Sequence, residues 1–424
     1  MSLSPPRTPD VPVRRVRRLT GTLYAYAFLD EFVLLYPLYA LLFADTGLSV
    51  WQMSSLFVLW SATGVLLEVP SGAWADAYSR RALLVLGPLL GAAGFALWVL
   101  VPSYAAFAAG FVLWGARGAL GSGALEALVY EELDRLGAAD RYARLMGRSQ
   151  AAGQVAVMAA MALAGPVFAA HGYPAVGAAS VLACLLCAAT AARFPEHRTT
   201  GTGDGAGRAA GEAGDAAEKA GPEGGAPERS GWSAALREGL REARRDRSVR
   251  RALLLVPAVT AVFGALDEYT PLLARETGVS DATVPYLLVL LWAGVTAGSL
   301  LAGPAERLGR RGYAAVLALS ALALAVGATT GTPAGLALVA VAFGGFQLAT
   351  VLADVRLQHR IEGTGRATLT SFAGLGTELV TIGVYGAYTV LATGGGHGTA
   401  FALSAVPYLV TAVLVARPER DGDG

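Results

Sequence analysis

The sequence predicts an all-α integral membrane protein with twelve transmembrane helices in two pseudo-symmetric six-helix bundles. Of its 424 residues, 54% are hydrophobic and only 15% are charged, whereas soluble chains carry about 25% charged residues. Long apolar stretches recur along the whole chain, and the two halves share short polar motifs. We therefore expect lipid to surround most of this protein.

The apolar stretches set the number of predicted spans. A helix that crosses a bilayer needs about 20 mostly apolar residues, and the sequence contains twelve such stretches. They lie at 20–43, 51–75, 82–101, 104–130, 145–170, 174–193, 251–274, 284–305, 313–331, 334–355, 367–391 and 399–416. Arginines cluster in alternate loops, so the positive-inside rule predicts a multi-pass protein of the cell membrane with both termini in the cytoplasm.

A polar segment separates the two predicted halves. The proposed parts are a first half at 1–194, a cytoplasmic linker at 195–249 and a second half at 250–424. The linker is rich in Gly, Ala, Glu and Pro, which is typical of disorder. Near its end, Trp232, Leu236 and Leu240 repeat every four residues. This spacing predicts a short amphipathic helix, either on the inner membrane surface or solvated.

Composition argues against several classes of function. The net charge of +1 offers no basic surface for nucleic acid. The single lysine, Lys219, lies in the polar linker, so the chain has no glycine-rich ATP-binding loop. Cys184 and Cys187 lie in an apolar stretch and are predicted to be buried small residues, and no metal or other cofactor is expected. A membrane-embedded enzyme or receptor is a remote alternative, because no HExxH motif is present and no histidine lies in the middle of a span.

The two halves repeat a polar signature. The first stretch carries Asp30 and Glu31, and the seventh carries Asp267 and Glu268. Each pair is followed by a proline and then by Thr-Gly-x-Ser. Repeated halves of this kind are typical of secondary transporters, in which the binding site lies between the repeats.

Ionisable side chains inside the predicted spans require an explanation, because each costs a few kcal/mol in the bilayer. These residues are Asp30, Glu31, Glu68, Arg117, Glu126, Asp267, Glu268, Asp354 and Glu378. The third, sixth, ninth and twelfth stretches carry none, so we expect those four helices to face lipid.

The depth of each charge predicts its partner. With a rise of about 1.5 Å per residue, Arg117 lies level with Asp30 and Glu31. Neighbouring residues point about 100° apart on a helix, so only one of the two carboxylates is predicted to pair with Arg117. Glu126 is expected on the opposite face of its helix. The second-half acids have no basic residue at their depth, which suits a site that binds and releases protons; the alternative is hydrogen bonding to Ser, Thr or backbone.

Three motifs resemble those of the major facilitator superfamily. The G-x-x-x-D-R-x-G-R-R loop motif is matched after the second stretch by Gly72, Asp76, Arg80 and Arg81, and after the eighth by Glu306, Arg307, Gly309, Arg310 and Arg311. Residues 117–123 resemble the Arg-x-x-Gln-Gly-x-Gly motif, with Leu120 in place of Gln. Gly165-Pro166 resembles part of the antiporter signature, although Met161 stands where that signature has Gly, and a helix kink alone explains a Gly-Pro pair.

This resemblance implies a secondary transporter, similar to the twelve-helix drug:proton antiporters, that moves a small organic molecule by alternating access. Proton-coupled export is the first hypothesis, and a proton symporter importing a nutrient is the alternative. The proton gradient would supply the energy, and the family expectation is a monomer. The implied roles are proton coupling or substrate binding for Asp30, Glu31, Arg117, Asp267, Glu268 and Glu378, a cytoplasmic gate for Gly72, Asp76, Arg80, Arg81, Glu306, Arg310 and Arg311, and a cavity lining for Tyr24, Tyr26, Trp60, Trp114 and Phe346.

Overall fold

The computed structural model describes residues 11–77, 79–121, 123–195, 247–360 and 366–417. All regular elements in these ranges are helical, and the ranges contain no strand. The predicted linker helix at Trp232 lies outside the described residues. Glu68, Gly72 and Asp76 lie on a described helix, but their side-chain surroundings are outside the description.

The helices of the first half are α1 (Val11–Glu31), α2 (Tyr39–Asp45), α3 (Val50–Ala77), α4 (Arg80–Leu100), α5 (Tyr104–Gly121), α6 (Ala124–Arg135) and α7 (Tyr142–Ala191), with a 3-10 turn at Ala139–Arg141. Those of the second half are α8 (Arg247–Asp267), α9 (Thr270–Glu276), α10 (Val284–Leu300), α11 (Ala302–Ala305), α12 (Arg310–Thr329), α13 (Gly335–Arg360), α14 (Arg366–Leu403) and α15 (Val406–Ala416). Each of the twelve predicted stretches falls on these helices. Seven helical segments of the described residues are long and apolar enough to cross a membrane.

Helix α7 is a hairpin of two helices. Its backbone leaves the helical conformation at Gly172, where φ is 66°, a value that glycine adopts without steric cost. On one side of this point, a Cβ added to Gly153 would lie 3.6 Å from the carbonyl oxygen of Ala27. On the other side, the Cys187 sulfur lies 3.7 Å from the carbonyl oxygen of Tyr26. Both arms therefore pass α1 at the same level, so the chain reverses at Gly172.

Helix α14 contains a second reversal, at Gly396, where φ is 79°. Before it, a Cβ added to Gly376 would lie 3.8 Å from the Pro257 ring. After it, the Tyr408 hydroxyl donates a hydrogen bond of 3.1 Å to the Val259 carbonyl. Two of the seven long apolar segments, Ala139–Ala191 and Phe372–Ala416, therefore each contain two antiparallel helical arms.

The reversals define two ends of the molecule. The hairpin end contains Gly172 and Gly396, and the linker end contains the end of α7 at Ala191 and the start of α8 at Arg247. The sequence predicts that the linker end faces the cytoplasm.

Two spans are broken at the same place in each half. Helix α1 ends at Glu31 and α8 ends at Asp267, and each is followed by a turn and a short helix. In the first break, Ser180 of α7 accepts a 3.0 Å hydrogen bond from the backbone N–H of Leu35, which satisfies a donor that has no helical partner. In the second, Pro271 lies in the first turn of α9. Each repeated acid pair therefore lies where a helix ends, and the helix dipole at that end disfavours negative charge.

Large apolar side chains are exposed along the bundle. They include Leu319 of the ninth stretch, 67% exposed, and Leu414 of the twelfth, 57% exposed. Leu66 and Val390, on stretches that also carry acids, are 73% and 71% exposed. Exposed apolar residues are therefore not confined to the four helices without charges.

Candidate functional site

A cavity of about 500 Å³ lies between the two halves, within the usual size range of small-molecule sites. Helices α3 and α5 line it from the first half, and α8 and α14 line it from the second. Its chemically distinctive side chains are those of Trp60, Trp114, Glu268, Glu378 and Tyr385. We call this space the central cavity.

The first half contributes an aromatic wall to the central cavity. Trp60 and Trp114 stack with their ring centroids 4.9 Å apart, and Tyr36 also stacks with Trp114, at a centroid distance of 5.2 Å. Both tryptophans were predicted to line a cavity, and both do so. Tyr385 adds an aromatic ring from the second half, which the sequence analysis did not single out.

The other predicted cavity aromatics lie elsewhere. Phe346 is fully buried and stacks on Tyr408 at 3.8 Å inside the second half. Tyr26 lines a smaller cavity of about 200 Å³ within the first half. The hydroxyl of Tyr24 is buried without a hydrogen-bond partner. The sequence alone identified these rings as lying within the membrane spans. The direction in which each ring points depends on the packing of neighbouring helices, which one sequence does not reveal.

The second half supplies the acids of the central cavity. Glu268 and Glu378 line it, and the described lining contains no Arg, Lys or His. Among the described residues, no cation lies within ion-pair distance of Asp267 or Glu268. Asp267 does not line the central cavity; its backbone carbonyl accepts a 2.6 Å hydrogen bond from the Thr270 hydroxyl. The cavity thus presents carboxylates beside aromatic rings.

The first half contains the predicted ion pair. Nη2 of Arg117 lies 2.6 Å from Oδ1 of Asp30 and donates a second hydrogen bond of 2.7 Å to the Asp30 carbonyl. The pair lies at the end of α1, so the guanidinium offsets both the carboxylate and the helix terminus. Glu31 instead points toward α7, where a Cβ added to Gly153 would lie 3.3 Å from its Cγ. One carboxylate of the two pairs with Arg117, as predicted.

Small residues surround this pair. A Cβ at Gly91 of α4 would lie 3.0 Å from Nη1 of Arg117, and one at Gly87 would lie 3.6 Å from its Cγ. The Cys184 sulfur lies 4.0 Å from Nη1, and the Cys187 sulfur lies 3.7 Å from Asp30 Oδ1. The cysteines are free and buried, as expected. Their position beside the ion pair was not predicted.

The prediction that Glu126 points away from Arg117 is wrong in its premise. It assumed one continuous helix, but α5 ends at Gly121 and α6 begins at Ala124 after Gly123, where φ is 72°. Glu126 consequently lines the same small first-half cavity as Arg117.

The halves are closed against each other at the hairpin end. The Ser54 and Tyr269 side-chain oxygens lie 2.6 Å apart, and Thr389 Oγ1 lies 2.6 Å from Ser54 Oγ. The Phe57 ring packs edge-on against Tyr269 at 5.3 Å. Ser54 precedes Trp60 on α3, and Thr389 lies one turn beyond Tyr385 on α14, so this layer seals the central cavity toward the hairpin end.

An ion-pair cluster joins the halves beyond that layer, and we call it the clasp. Arg275 Nη1 lies 2.7 Å from Asp45 of the first half, and Arg275 also donates two hydrogen bonds, of 2.8 and 2.7 Å, to Asp281 of its own half. The Tyr173 hydroxyl donates a 2.6 Å hydrogen bond to Asp45. Partial burial opposes ionisation of Asp45, but the hydrogen bonds from Arg275 and Tyr173 hold its pKa below the usual value.

A close backbone approach reinforces this closure. A Cβ at Gly165 of α7 would lie 2.5 Å from the carbonyl oxygen of Ala282 and 2.9 Å from the ring of Tyr286. The Gly-Pro pair noted in the sequence therefore lies at the contact between the halves.

Comparison with known proteins assigns this architecture to a family. The family model described as Major Facilitator Superfamily matches residues 20–353. The chain belongs to the major facilitator superfamily. It is therefore a multi-pass membrane protein of a transporter family rather than an enzyme. No curated protein sequence matches this superfamily member.

Solved transporters share its fold. The structure of the nucleoside transporter NupG (D323A mutant) superposes with a TM-score of 0.72 at 12% identity, covering 94% of this chain and 98% of that one. The D-xylose-proton symporter gives a TM-score of 0.62 at 16% identity over 98% and 100% of the chains. A bacterial homolog of the human lysosomal transporter Spinster, inward-facing and unoccupied, gives 0.65 at 16% identity over 96% of each. At these identities the likeness establishes the fold alone.

The loop motifs of this superfamily member lie at the linker end. Arg80 forms a 2.5 Å ion pair with Glu131, and Arg81 donates a 3.5 Å hydrogen bond to the Phe194 carbonyl. Arg310 donates hydrogen bonds to the carbonyls of Val415 and Arg417. These contacts each lie within one half.

Two further gate residues and two of the predicted intramembrane acids are exposed. Glu306 and Arg311 of the second loop motif are exposed at the linker end. Asp354 and Glu126, predicted to be buried, are exposed as well. For Asp354 the reason is its position near the end of α13, close to the linker end of the bundle.

Proposed function

We propose that this protein is a proton-coupled exporter of small amphipathic organic cations. The observation that carries the proposal is the pairing, in one cavity, of the Glu268 and Glu378 carboxylates with the aromatic rings of Trp60, Trp114 and Tyr385. A desolvated carboxylate attracts a cation, and the aromatic faces bind both its charge and its apolar body.

The same carboxylates offer a means of coupling. A carboxylate that binds a cationic substrate must release its proton, and reprotonation favours release of the substrate. Protons and substrate therefore compete for Glu268 and Glu378. In this proposal, the exchange of proton for substrate moves the two broken helices. Asp267 and the Asp30–Arg117 pair lie at the ends of these helices and move with them. The proton gradient supplies the energy, and the transporter acts as a monomer in the cell membrane.

Alternating access follows from where the halves touch. The Ser54–Tyr269–Thr389 layer and the clasp are polar contacts between the halves, and both lie at the hairpin end. This arrangement supports a state in which the cavity opens toward the linker end. Export then requires these contacts to part, while Arg80, Arg81, Glu306, Arg310 and Arg311, together with Gly72 and Asp76, close the linker end.

Everted membrane vesicles test the proposal. With the interior acidified, a lipophilic cation such as tetraphenylphosphonium should enter the vesicles and discharge the proton gradient. Glu268→Gln should abolish both signals. Asp354→Asn, an exposed acid of the same half, is the matched control and should retain them. Retained proton-coupled uptake in the Glu268→Gln, Glu378→Gln double variant would refute the coupling role of these residues.

Proton-coupled import is the second candidate. It is favoured by the departures from the antiporter signature around Gly165, where Met161 and Ala169 replace glycine. Direction separates the two: an exporter accumulates its substrate in acidified everted vesicles, whereas an importing symporter does not.

A further inference from the structure

Beyond the transport cycle, we propose that the first half holds an anionic phospholipid at its linker end. Its phosphate would occupy a basic pocket between α1, α4, α6 and α7, and an acyl chain would lie in an adjoining groove along α4. The site is separate from the central cavity.

The basic pocket has a volume of about 560 Å³. Its charged lining residues are Arg15, Arg18, Arg81, Glu132, Arg135 and Arg193. Among the described lining residues, five arginines face one glutamate, which gives this part of the lining a formal excess of four positive charges. A concave site with this charge, at the end that the positive-inside rule places in the cytoplasm, attracts anionic headgroups.

The one carboxylate among the described lining residues is directed inward. The Glu132 side chain is only 8% exposed and lies 3.9 Å from Arg135, whose side chain is 43% exposed. Arg15, Arg18 and Arg193 are also exposed. The negative charge is thus at the floor of the pocket, and the guanidinium groups are accessible to a ligand at its mouth.

An apolar groove of about 630 Å³ continues from the pocket. It shares Arg81 and Ala192 with the basic pocket and is lined beyond them by Val85, Leu86 and Leu89. Leu86 and Leu89 are 43% and 40% exposed. Leu89 lies eight residues beyond Arg81 on α4, so the groove runs roughly 12 Å from the headgroup level toward the hairpin end.

The continuity of pocket and groove favours a lipid over a free anion. Inorganic phosphate would use the arginines but leave the groove empty, and a zwitterionic lipid would use the groove but bring no net negative charge to the pocket. An anionic phospholipid uses both. Arg81, at their border, would contact the phosphate next to the glycerol.

Native mass spectrometry of the full chain tests the site. The purified protein is titrated with phosphatidylglycerol and with phosphatidylcholine of identical acyl chains. We expect at least a tenfold preference for phosphatidylglycerol. The Arg18→Gln, Arg135→Gln, Arg193→Gln variant should lose that preference, and the corresponding Arg→Lys variant should retain most of it, which separates loss of charge from loss of fold.

A second triple variant is the matched control. Arg141, Arg144 and Arg148 are exposed near the linker end of α7 and do not line the pocket, so their replacement by Gln should change the preference less than twofold. The proposal would be overturned if the protein retained the two lipids equally, or if both triple variants lost the preference for phosphatidylglycerol to the same extent. Displacement of phosphatidylglycerol by millimolar inorganic phosphate would also overturn it, because that result would indicate a free-anion site.

Discussion

The side-chain oxygens of Ser54 and Tyr269 lie 2.6 Å apart and join the first half to the second directly beyond the central cavity. Thr389 approaches the same Ser54 hydroxyl at 2.6 Å. One small side chain therefore holds two elements of the opposite half, and its removal should shift the balance between the two access states.

Replacing Ser54 with Ala should favour opening of the hairpin end. Two neutral hydrogen bonds of about 0.5–1.5 kcal/mol each are lost, so the open fraction should rise by about tenfold. Spin labels at Trp51 and Ser280 should report this as a longer distance by double electron–electron resonance. Ser55→Ala is the control, because Ser55 bonds Tyr104 of its own half. Identical distance distributions in the two variants would contradict a gating role for Ser54.

Gly165→Ala should also disfavour closure. Its methyl group would meet the Ala282 carbonyl at 2.5 Å, and a backbone atom cannot move aside as a flexible side chain can. Gly147 of the same helix has no atom within 4 Å of an added Cβ, so Gly147→Ala should be neutral. Alkylation of a cysteine introduced at Thr389 measures the opening, and equal labelling rates in the two variants would count against this contact.

Gly91→Ala should impair transport through Arg117. The added methyl would lie 3.0 Å from Nη1 and displace the guanidinium from Asp30, whereas Gly87→Ala makes an ordinary contact at 3.6 Å. Uptake in everted vesicles should fall several-fold for the first variant and remain near normal for the second. Similar uptake by both variants would show that the position of the guanidinium is not limiting.

Breaking the Asp30–Arg117 pair should destabilise the protein more than removing it. Asp30→Asn leaves a guanidinium that is 8% exposed without its counter-ion, and such a loss costs about 3–5 kcal/mol. The Asp30→Asn, Arg117→Gln double variant should recover part of this. Glu131→Gln breaks a pair whose acid is 64% exposed and should cost less than about 1 kcal/mol. Thermal unfolding in detergent measures these three variants and the Arg117→Gln single variant. If the losses of the two single variants add up in the double variant, the coupling is disproved.

The clasp should resist mild acid. Because the pKa of Asp45 is lowered by Arg275 and Tyr173, its contribution to closure is fully present above the usual aspartate value of about 3.9 and is lost only as pH falls through the lowered pKa. The Trp51–Ser280 distance should therefore be insensitive to this group from roughly pH 7 to pH 5. Asp45→Asn should lengthen the Trp51–Ser280 distance already at neutral pH. A change in this distance near pH 6 that is present in the wild type and absent in Asp45→Asn would contradict the prediction.

The helical fold and one ion pair could be predicted because both depend on local periodicity and depth. Spans follow from apolar length, and Asp30 and Arg117 were matched by counting residues from the membrane edge along straight helices. The same counting failed for Glu126, because Gly123 breaks its helix and resets the direction of the residues that follow.

The contacts between halves could not be predicted from one sequence. Asp45 and Arg275 belong to the short helices α2 and α9, which are far apart in the chain, and their meeting depends on how the two bundles tilt. Phe346 and Trp60 both look like membrane aromatics, yet only Trp60 faces the central cavity. Arg275 lies between the seventh and eighth predicted spans, on the side opposite the arginine-rich loops, and this position was the available signal for the clasp.

The double attachment of Arg275 makes the clasp reversible. When the halves separate, Arg275 keeps Asp281, and Asp45 keeps the Tyr173 hydroxyl. Neither charge is left bare, so parting the surfaces avoids most of the desolvation and pairing penalty that a simple two-residue bridge would impose. Such a contact can fasten and release once in every turnover without trapping the protein in either state.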